Sequence, residues 1–147
     1  MQFFALPLAR ILLSLVFIFA GYTKVVGYGA MNMQEWTKYV TSLRIPGTAS
    51  PMPNAELLAQ ISAWGELVGG ILLFIGILSR VTAFGLLVFV IAASILGHAF
   101  WMQADAAKAA VELGSFLKNM GIVGGLLLIV GAGGGALSID GMFRRPQ

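Results

Sequence analysis

Apolar positions crowd into four stretches, residues 4–26, 57–78, 81–101 and 116–137, each with an ionisable residue inside it or at its edge. A helix that crosses hydrocarbon needs about 20 mostly apolar residues. The pattern therefore predicts an all-α membrane protein, a four-transmembrane-helix bundle. Only Ser79 and Arg80 separate the second and third stretches, so those two run antiparallel. The rest of the bundle is expected to alternate in the same way, which puts both termini on the side of that turn. The first stretch reads as a span rather than a signal peptide, because no basic segment precedes Arg10 and the apolar run continues to Val26. Residues 1–147 are expected to form a single domain.

The connections carry weaker patterns. Over residues 31–43, Met33, Trp36, Tyr39, Val40 and Leu43 recur at helical spacing, while Gln34, Glu35, Lys38 and Ser42 fill the other face. That pattern predicts a short interfacial helix between spans one and two. Pro46-Gly47 ends it, and Pro51 to Asn54 makes a second break, with Asn54 placed to cap span two. Residues 104–113 predict a separate short helix between spans three and four.

Composition narrows the class further. The chain is 59% hydrophobic and 10% charged, with mean hydropathy +0.91. Soluble domains carry about 25% charged residues, so a soluble fold is excluded. The net charge of +3 is scattered among spans and loops, which speaks against nucleic acid as a partner. With no cysteine, the chain itself supplies no disulfide, thiolate metal site or iron–sulfur cluster. A single histidine with no cysteine beside it makes no closed metal site, so no metal is expected. No self-sufficient catalytic motif is present, which leaves enzymatic activity open.

The intramembrane charges are the candidate chemistry, since each costs about 3 kcal/mol at bilayer depth. With about 1.5 Å of rise per residue, antiparallel spans bring Lys24, His98, Lys118 and Asn119 to one layer on the side away from the termini. Glu66 falls about 14 Å below the start of its span, near mid-membrane. Faces agree with an interior: Arg10, Ser14, Phe17, Gly21 and Lys24 form one stripe, Glu66 shares a face with Gly69 and Gly70, and Lys118 one with Gly121 and Gly125. Small residues let membrane helices approach closely. Lys24 and Lys118 also fit a plain role as snorkelling interface residues. Glu66 has no such escape and must be paired or protonated, either with a lysine or His98 as a structural bolt, or as a proton carrier.

Lys24, Glu66, His98, Lys118 and Asn119 are thus the candidate ligand-binding residues, with Trp64, Phe100 and Trp101 as apolar walls, suited to a quinone head group. Arg10, Arg80 and Asp140 read as structural anchors on the terminal side, with Asp140 pairing Arg80 or Arg10. Arg80, Arg144 and Arg145 flank the spans on that side, which favours cytoplasmic termini. All six Trp and Tyr residues, Tyr22, Tyr28, Trp36, Tyr39, Trp64 and Trp101, fall toward the opposite side.

These residues together resemble the DoxX family of small four-helix membrane proteins. The resemblance rests on Arg10 followed by Ala20-Gly21-Tyr22-Thr23-Lys24, on Glu66-Leu67-Val68-Gly69-Gly70 leading to Gly76-Ile77-Leu78-Ser79-Arg80, and on His98. It continues through Phe116-Leu117-Lys118-Asn119, Gly124-Gly125 and Ser138-Ile139-Asp140. The resemblance implies an inner (plasma) membrane bundle associated with quinol oxidase, thiosulfate:quinone oxidoreductase or oxidative-stress complexes. The function expected is a redox-associated subunit that binds a quinone-like molecule in a polar site within the bundle, or supports a membrane oxidoreductase complex. A non-enzymatic accessory or assembly subunit is the alternative, and a small proton-coupled transporter component the third reading. The partners expected are the lipid bilayer and other subunits of a membrane redox complex.

Overall fold

The computed structural model describes residues 2–27, 32–45, 47, 48 and 50–142. Tyr28, Pro46 and the Arg144-Arg145 pair lie outside the described residues. Among the described residues six α-helices follow in order: α1 (Gln2–Val26), α2 (Met33–Ser42), α3 (Ala55–Ile75), α4 (Ser79–Gly97), α5 (Ala106–Ala132) and α6 (Ile139–Met142). A single 3-10 turn, Phe100–Met102, extends α4. Helices α1, α3, α4 with its extension, and α5 are long and apolar enough to cross a membrane. The all-helical reading holds among the described residues, where the only β-type pairing is an isolated bridge between Arg44 and Pro51.

The expected interfacial helix is α2. Asn32 caps it, its side-chain oxygen accepting the Glu35 N–H at 3.0 Å. The separate helix expected over residues 104–113 is not separate. It runs straight into the fourth span as one helix of 27 residues. Asp105 starts this helix by accepting the Lys108 N–H at 2.9 Å, and Gly114 alone is too weak a break to stop it. At about 40 Å, α5 exceeds the hydrocarbon thickness of about 30 Å, so one end stands in the headgroup region. Its other end comes at Ala132 rather than residue 137, because Gly133 adopts φ 85° and breaks the ladder. Asn54 sits at the N-cap of α3 in a left-handed conformation, but its side chain makes no cap bond.

Packing divides the bundle into two close pairs. Helix α1 lies mainly on α3, and α4 mainly on α5, while the α3–α4 seam is looser. Glycine sets the first contact: a Cβ at Gly21 would run into the Leu67 backbone, and one at Gly70 would come within 2.7 Å of the Ile18 nitrogen. Without side chains there, the two backbones approach and gain dispersion contacts that lipid does not replace. Phe17, Leu73, Leu86, Val90, Leu126 and Ile129 fill the centre of the bundle. Phe19, Val81, Phe84, Leu117 and Leu128 point outward, as lipid-facing positions should.

On the terminal side the chain closes on itself. The turn between α3 and α4 uses two left-handed residues, Gly76 and Leu78. Asp140, at the start of α6, accepts the N–H groups of Leu78 at 2.8 Å and Ser79 at 2.6 Å, and its own N–H donates to the Gly76 carbonyl at 3.0 Å. A carboxylate here meets the orphan N–H groups and positive dipole end of α4. Arg10 is 2% exposed and donates from Nη2 to the Leu137 carbonyl at 2.9 Å, with Asp140 attracting its charge. Arg10 and Asp140 thus lie together on the terminal side, while Arg80 is exposed.

Candidate functional site

The close α1–α3 contact fixes the first pair. Lys24 Nζ meets Glu66 Oε2 at 2.5 Å, with Lys24 7% and Glu66 6% exposed. Of the two partners open to Glu66 on sequence, the lysine takes the place, and Lys24 does not snorkel. The Trp36 ring lies 3.9 Å from the Lys24 ammonium, and its Nε1 donates to Ser62 Oγ at 2.8 Å and to the Ala59 carbonyl at 3.2 Å. Helix α2 is thereby stapled to α3 over the ion pair.

His98 goes elsewhere. It terminates α4, its N–H bonded to the Ser94 carbonyl at 3.1 Å, and its Nδ1 lies 2.8 Å from Glu112 Oε2 on α5. Both side chains are only partly covered. The continuous α5 is what raises Glu112 to this level. Sequence reading did not single out Glu112; reading α5 as one helix from Ala106 would have placed it opposite His98 across the α4–α5 connection. Asn119 Nδ2 donates to Ser94 Oγ at 3.0 Å, and Ser94 Oγ donates to the Val90 carbonyl at 2.6 Å, which ties α5 to α4.

Lys118 is exposed on the outer face of α5. Gly121 beside it has nothing within 4 Å of a Cβ position, so the expected inward stripe of Lys118, Gly121 and Gly125 does not form. Only Gly125 packs inward, against Leu13. The cause is rotation: Asn119, Leu126 and Ile129 take the inner face of α5, and Lys118 and Gly121 fall outside it. The five candidates therefore occupy three places, with Lys24–Glu66 inside, His98 and Asn119 on the α4–α5 pair, and Lys118 facing outward.

The looser α3–α4 seam opens into a groove of about 810 Å³, roofed by α2. Gly65 and Gly69 from α3 and Gly85 and Phe89 from α4 line its length, and Trp36 and Tyr39 its roof. His98 and Glu112 line one end. This is the size and make-up of a site for a drug-sized apolar ligand with a few polar contacts. The aromatic walls differ from those expected. Trp36 and Tyr39 line the groove, whereas Phe100 and Trp101 stack edge to face with Phe116, and Trp64 is exposed. Tyr39 donates to the Gly97 carbonyl at 3.2 Å. Burial, aided by the Glu112 charge, pushes its phenol above the ordinary range, so it remains a hydroxyl at neutral pH. A smaller hollow of about 280 Å³ on the terminal side is lined by Gly134, Ser138, Asp140 and Gly141. Among the described residues no three His, Asp or Glu side chains gather as a metal site requires.

Known proteins share this chain's pattern. The inner membrane protein YphA of Escherichia coli K12 is 32% identical over 136 residues, which covers 92% of this chain and 87% of YphA. The inner membrane protein YqjF of the same organism is 31% identical over 137 residues, covering 93% of this chain and 90% of YqjF. No solved structure matches. The SURF4 family matches residues 55–145. The DoxX family matches residues 5–99, the part that holds α1 to α4, the Lys24–Glu66 pair and His98. The chain belongs to the DoxX family of integral membrane proteins.

Proposed function

We propose that this protein is a redox-associated membrane subunit that binds a quinone-like molecule in the α3–α4 groove, its head group at the His98–Glu112 end. The observation that carries the reading is the groove itself, about 810 Å³ of mostly apolar wall ending at a hydrogen-bonded imidazole and carboxylate. A quinone needs an apolar approach from lipid and hydrogen-bond donors for its oxygens. The seam supplies the approach, and the His98 ring, one nitrogen of which is held by Glu112, supplies the hydrogen-bonding group at that end. Glu112 fixes the imidazole and offers a carboxylate through which a proton is exchanged. The Lys24–Glu66 pair takes the structural part in this reading, and Lys118 is left to the bilayer or a neighbour.

The two relatives are inner membrane proteins, and the same location is proposed here, with both termini cytoplasmic. The chain lacks cysteine, so single introduced cysteines near Arg80 and Lys108 report sidedness by impermeant thiol labelling. A second reading, an accessory subunit of a larger membrane complex, draws on α5. Gly114, Gly121 and Gly124 leave its outer face flat around Lys118, a surface that a neighbouring helix can approach.

The test uses the full chain in lipid nanodiscs with a photoreactive quinone analogue. Labelling should concentrate on α2 and on residues 85–98 of α4, compete with unlabelled quinone, and fall strongly in His98→Ala. Labelling spread evenly over the lipid-facing surface, with no competition, rejects the reading.

A further inference from the structure

The mouth of the groove carries a charge asymmetry. Its titratable lining consists of Tyr39 from α2, His98 from α4 and Glu112 from α5; α3 contributes none, since Glu66 is sealed against Lys24 and lies outside the lining. Among the described residues, no lysine or arginine lines the groove. The cations nearby are committed or exposed to solvent. Lys38 pairs with Glu35 at 2.7 Å on the outer face of α2, and Lys108 is exposed one turn nearer the start of α5 than Glu112. Tyr39 stays protonated. The mouth is therefore neutral when the imidazole carries a proton and negative when it does not; in neither state is it positive.

We infer that the groove selects amphiphiles by head-group charge, admitting uncharged heads, favouring cationic ones and excluding anionic ones. The inference rests on the groove being a binding site. Two features act together. A carboxylate at the end of an apolar, weakly polarisable channel repels another anion more strongly than it would in water. An anionic head there also leaves its hydration without gaining a lysine or arginine partner, whereas a quaternary ammonium gains the Glu112 carboxylate. Anionic phospholipids and free fatty acids, abundant around any membrane protein, would on this basis be kept out without steric exclusion. Selection by an unfavourable contact is as effective as selection by a favourable one.

Trp36 lines the groove and makes the measurement direct. In a Trp64→Phe, Trp101→Phe background it is the sole tryptophan, and both replaced side chains are exposed. The full chain is placed in nanodiscs of zwitterionic lipid and titrated with three amphiphiles sharing one nitroxide-labelled chain. Their heads are a methyl ester, a quaternary ammonium and a sulfonate. The ester and the ammonium should quench Trp36, with the sulfonate needing about tenfold higher membrane concentration or more. Glu112→Gln should narrow that gap by weakening the ammonium and strengthening the sulfonate. Equal quenching by sulfonate and ester overturns the charge selection while leaving the groove as a site. Quenching by none of the three above the level of bulk labelled lipid removes the site itself and the proposed function with it. A Glu112→Gln protein with the gap between ester and sulfonate unchanged refutes the carboxylate as the cause.

Discussion

Lys24 on α1 and Glu66 on α3, 42 positions apart in sequence, share a 2.5 Å contact beneath the Trp36 ring. Taking either charge alone into the bundle would be expensive, and together they are tolerated. The pair sits where Gly21 and Gly70 bring the two backbones together, so packing and charge reinforce one contact.

Removing one partner should therefore cost more than removing both. Glu66→Gln or Lys24→Met leaves a buried charge unmatched and is expected to destabilise by about 3–5 kcal/mol. The double change Lys24→Met, Glu66→Leu should recover most of that loss, because apolar side chains fit a membrane interior. Thermal unfolding in mild detergent, followed by circular dichroism, reads this. A Glu66→Gln protein that melts like the wild type would show that the pair does not hold α1 to α3.

Glycines in this chain do two different jobs that a substitution series separates. A Cβ at Gly21 collides with the Leu67 backbone, so Gly21→Ala should destabilise by about 1–3 kcal/mol through overpacking. At Gly65 and Gly85, which line the groove, a Cβ meets nothing within 4 Å. Gly65→Leu and Gly85→Leu are therefore expected to keep the melting temperature and to lower quinone labelling about tenfold or more by filling the channel. Labelling that survives both substitutions at full strength would place the ligand elsewhere.

The same contrasts explain what the sequence could and could not tell. Four spans and α2 follow from hydrophobic periodicity, a local property, and Glu66 stood out because a mid-membrane carboxylate has to find a partner. Its partner was narrowed to a lysine or His98 but not chosen, since that choice depends on the azimuth of α1 against α3. Gly121 and Gly125 share a stripe with Lys118 and place it inward on sequence, whereas the rotation of α5 in the bundle puts it outside. Glu112 was missed for a simpler reason. The local pattern over residues 104–113 predicts a separate helix, and only a continuous α5 carries Glu112 to the level of His98. The groove is legible in no local pattern at all, being the gap left where α3 and α4 pack less closely than their neighbours.

Asp140 should matter through the backbone groups that it caps. Its two oxygens hold the Leu78 and Ser79 N–H groups at the start of α4, and Leu78 sits at φ 48°, an unfavourable region for a leucine. Asp140→Ala is expected to cost about 1–2 kcal/mol, in the range of a lost helix cap. Asp140→Asn, which keeps one acceptor oxygen, should fall between. Amide hydrogen exchange supplies the local readout: the Leu78 and Ser79 amides should exchange faster in Asp140→Ala while those of α5 do not. Protection unchanged at Leu78 and Ser79 would contradict the capping role.

Tyr39 gives the fold a dependence on alkaline pH with a defined sign. Burial, then the neighbouring Glu112 charge, raises its phenol above the value of about 10 found in an unfolded chain. The folded state thus holds that proton more tightly than the unfolded state. The stability linked to it is fully present below about pH 10 and is lost as pH rises through the folded value. Tyr39→Phe has no such proton to lose, although it gives up the hydrogen bond to the Gly97 carbonyl at all pH values. Melting temperatures taken from about pH 9 to about pH 11.5 should show the wild type falling more steeply than Tyr39→Phe, so that the two curves converge at the alkaline end. The phenolate absorbance lost in Tyr39→Phe should also titrate above the ordinary tyrosine range. Parallel stability curves, with the missing absorbance titrating near 10, would mean that α2 leaves Tyr39 open to water and that the groove lacks its roof.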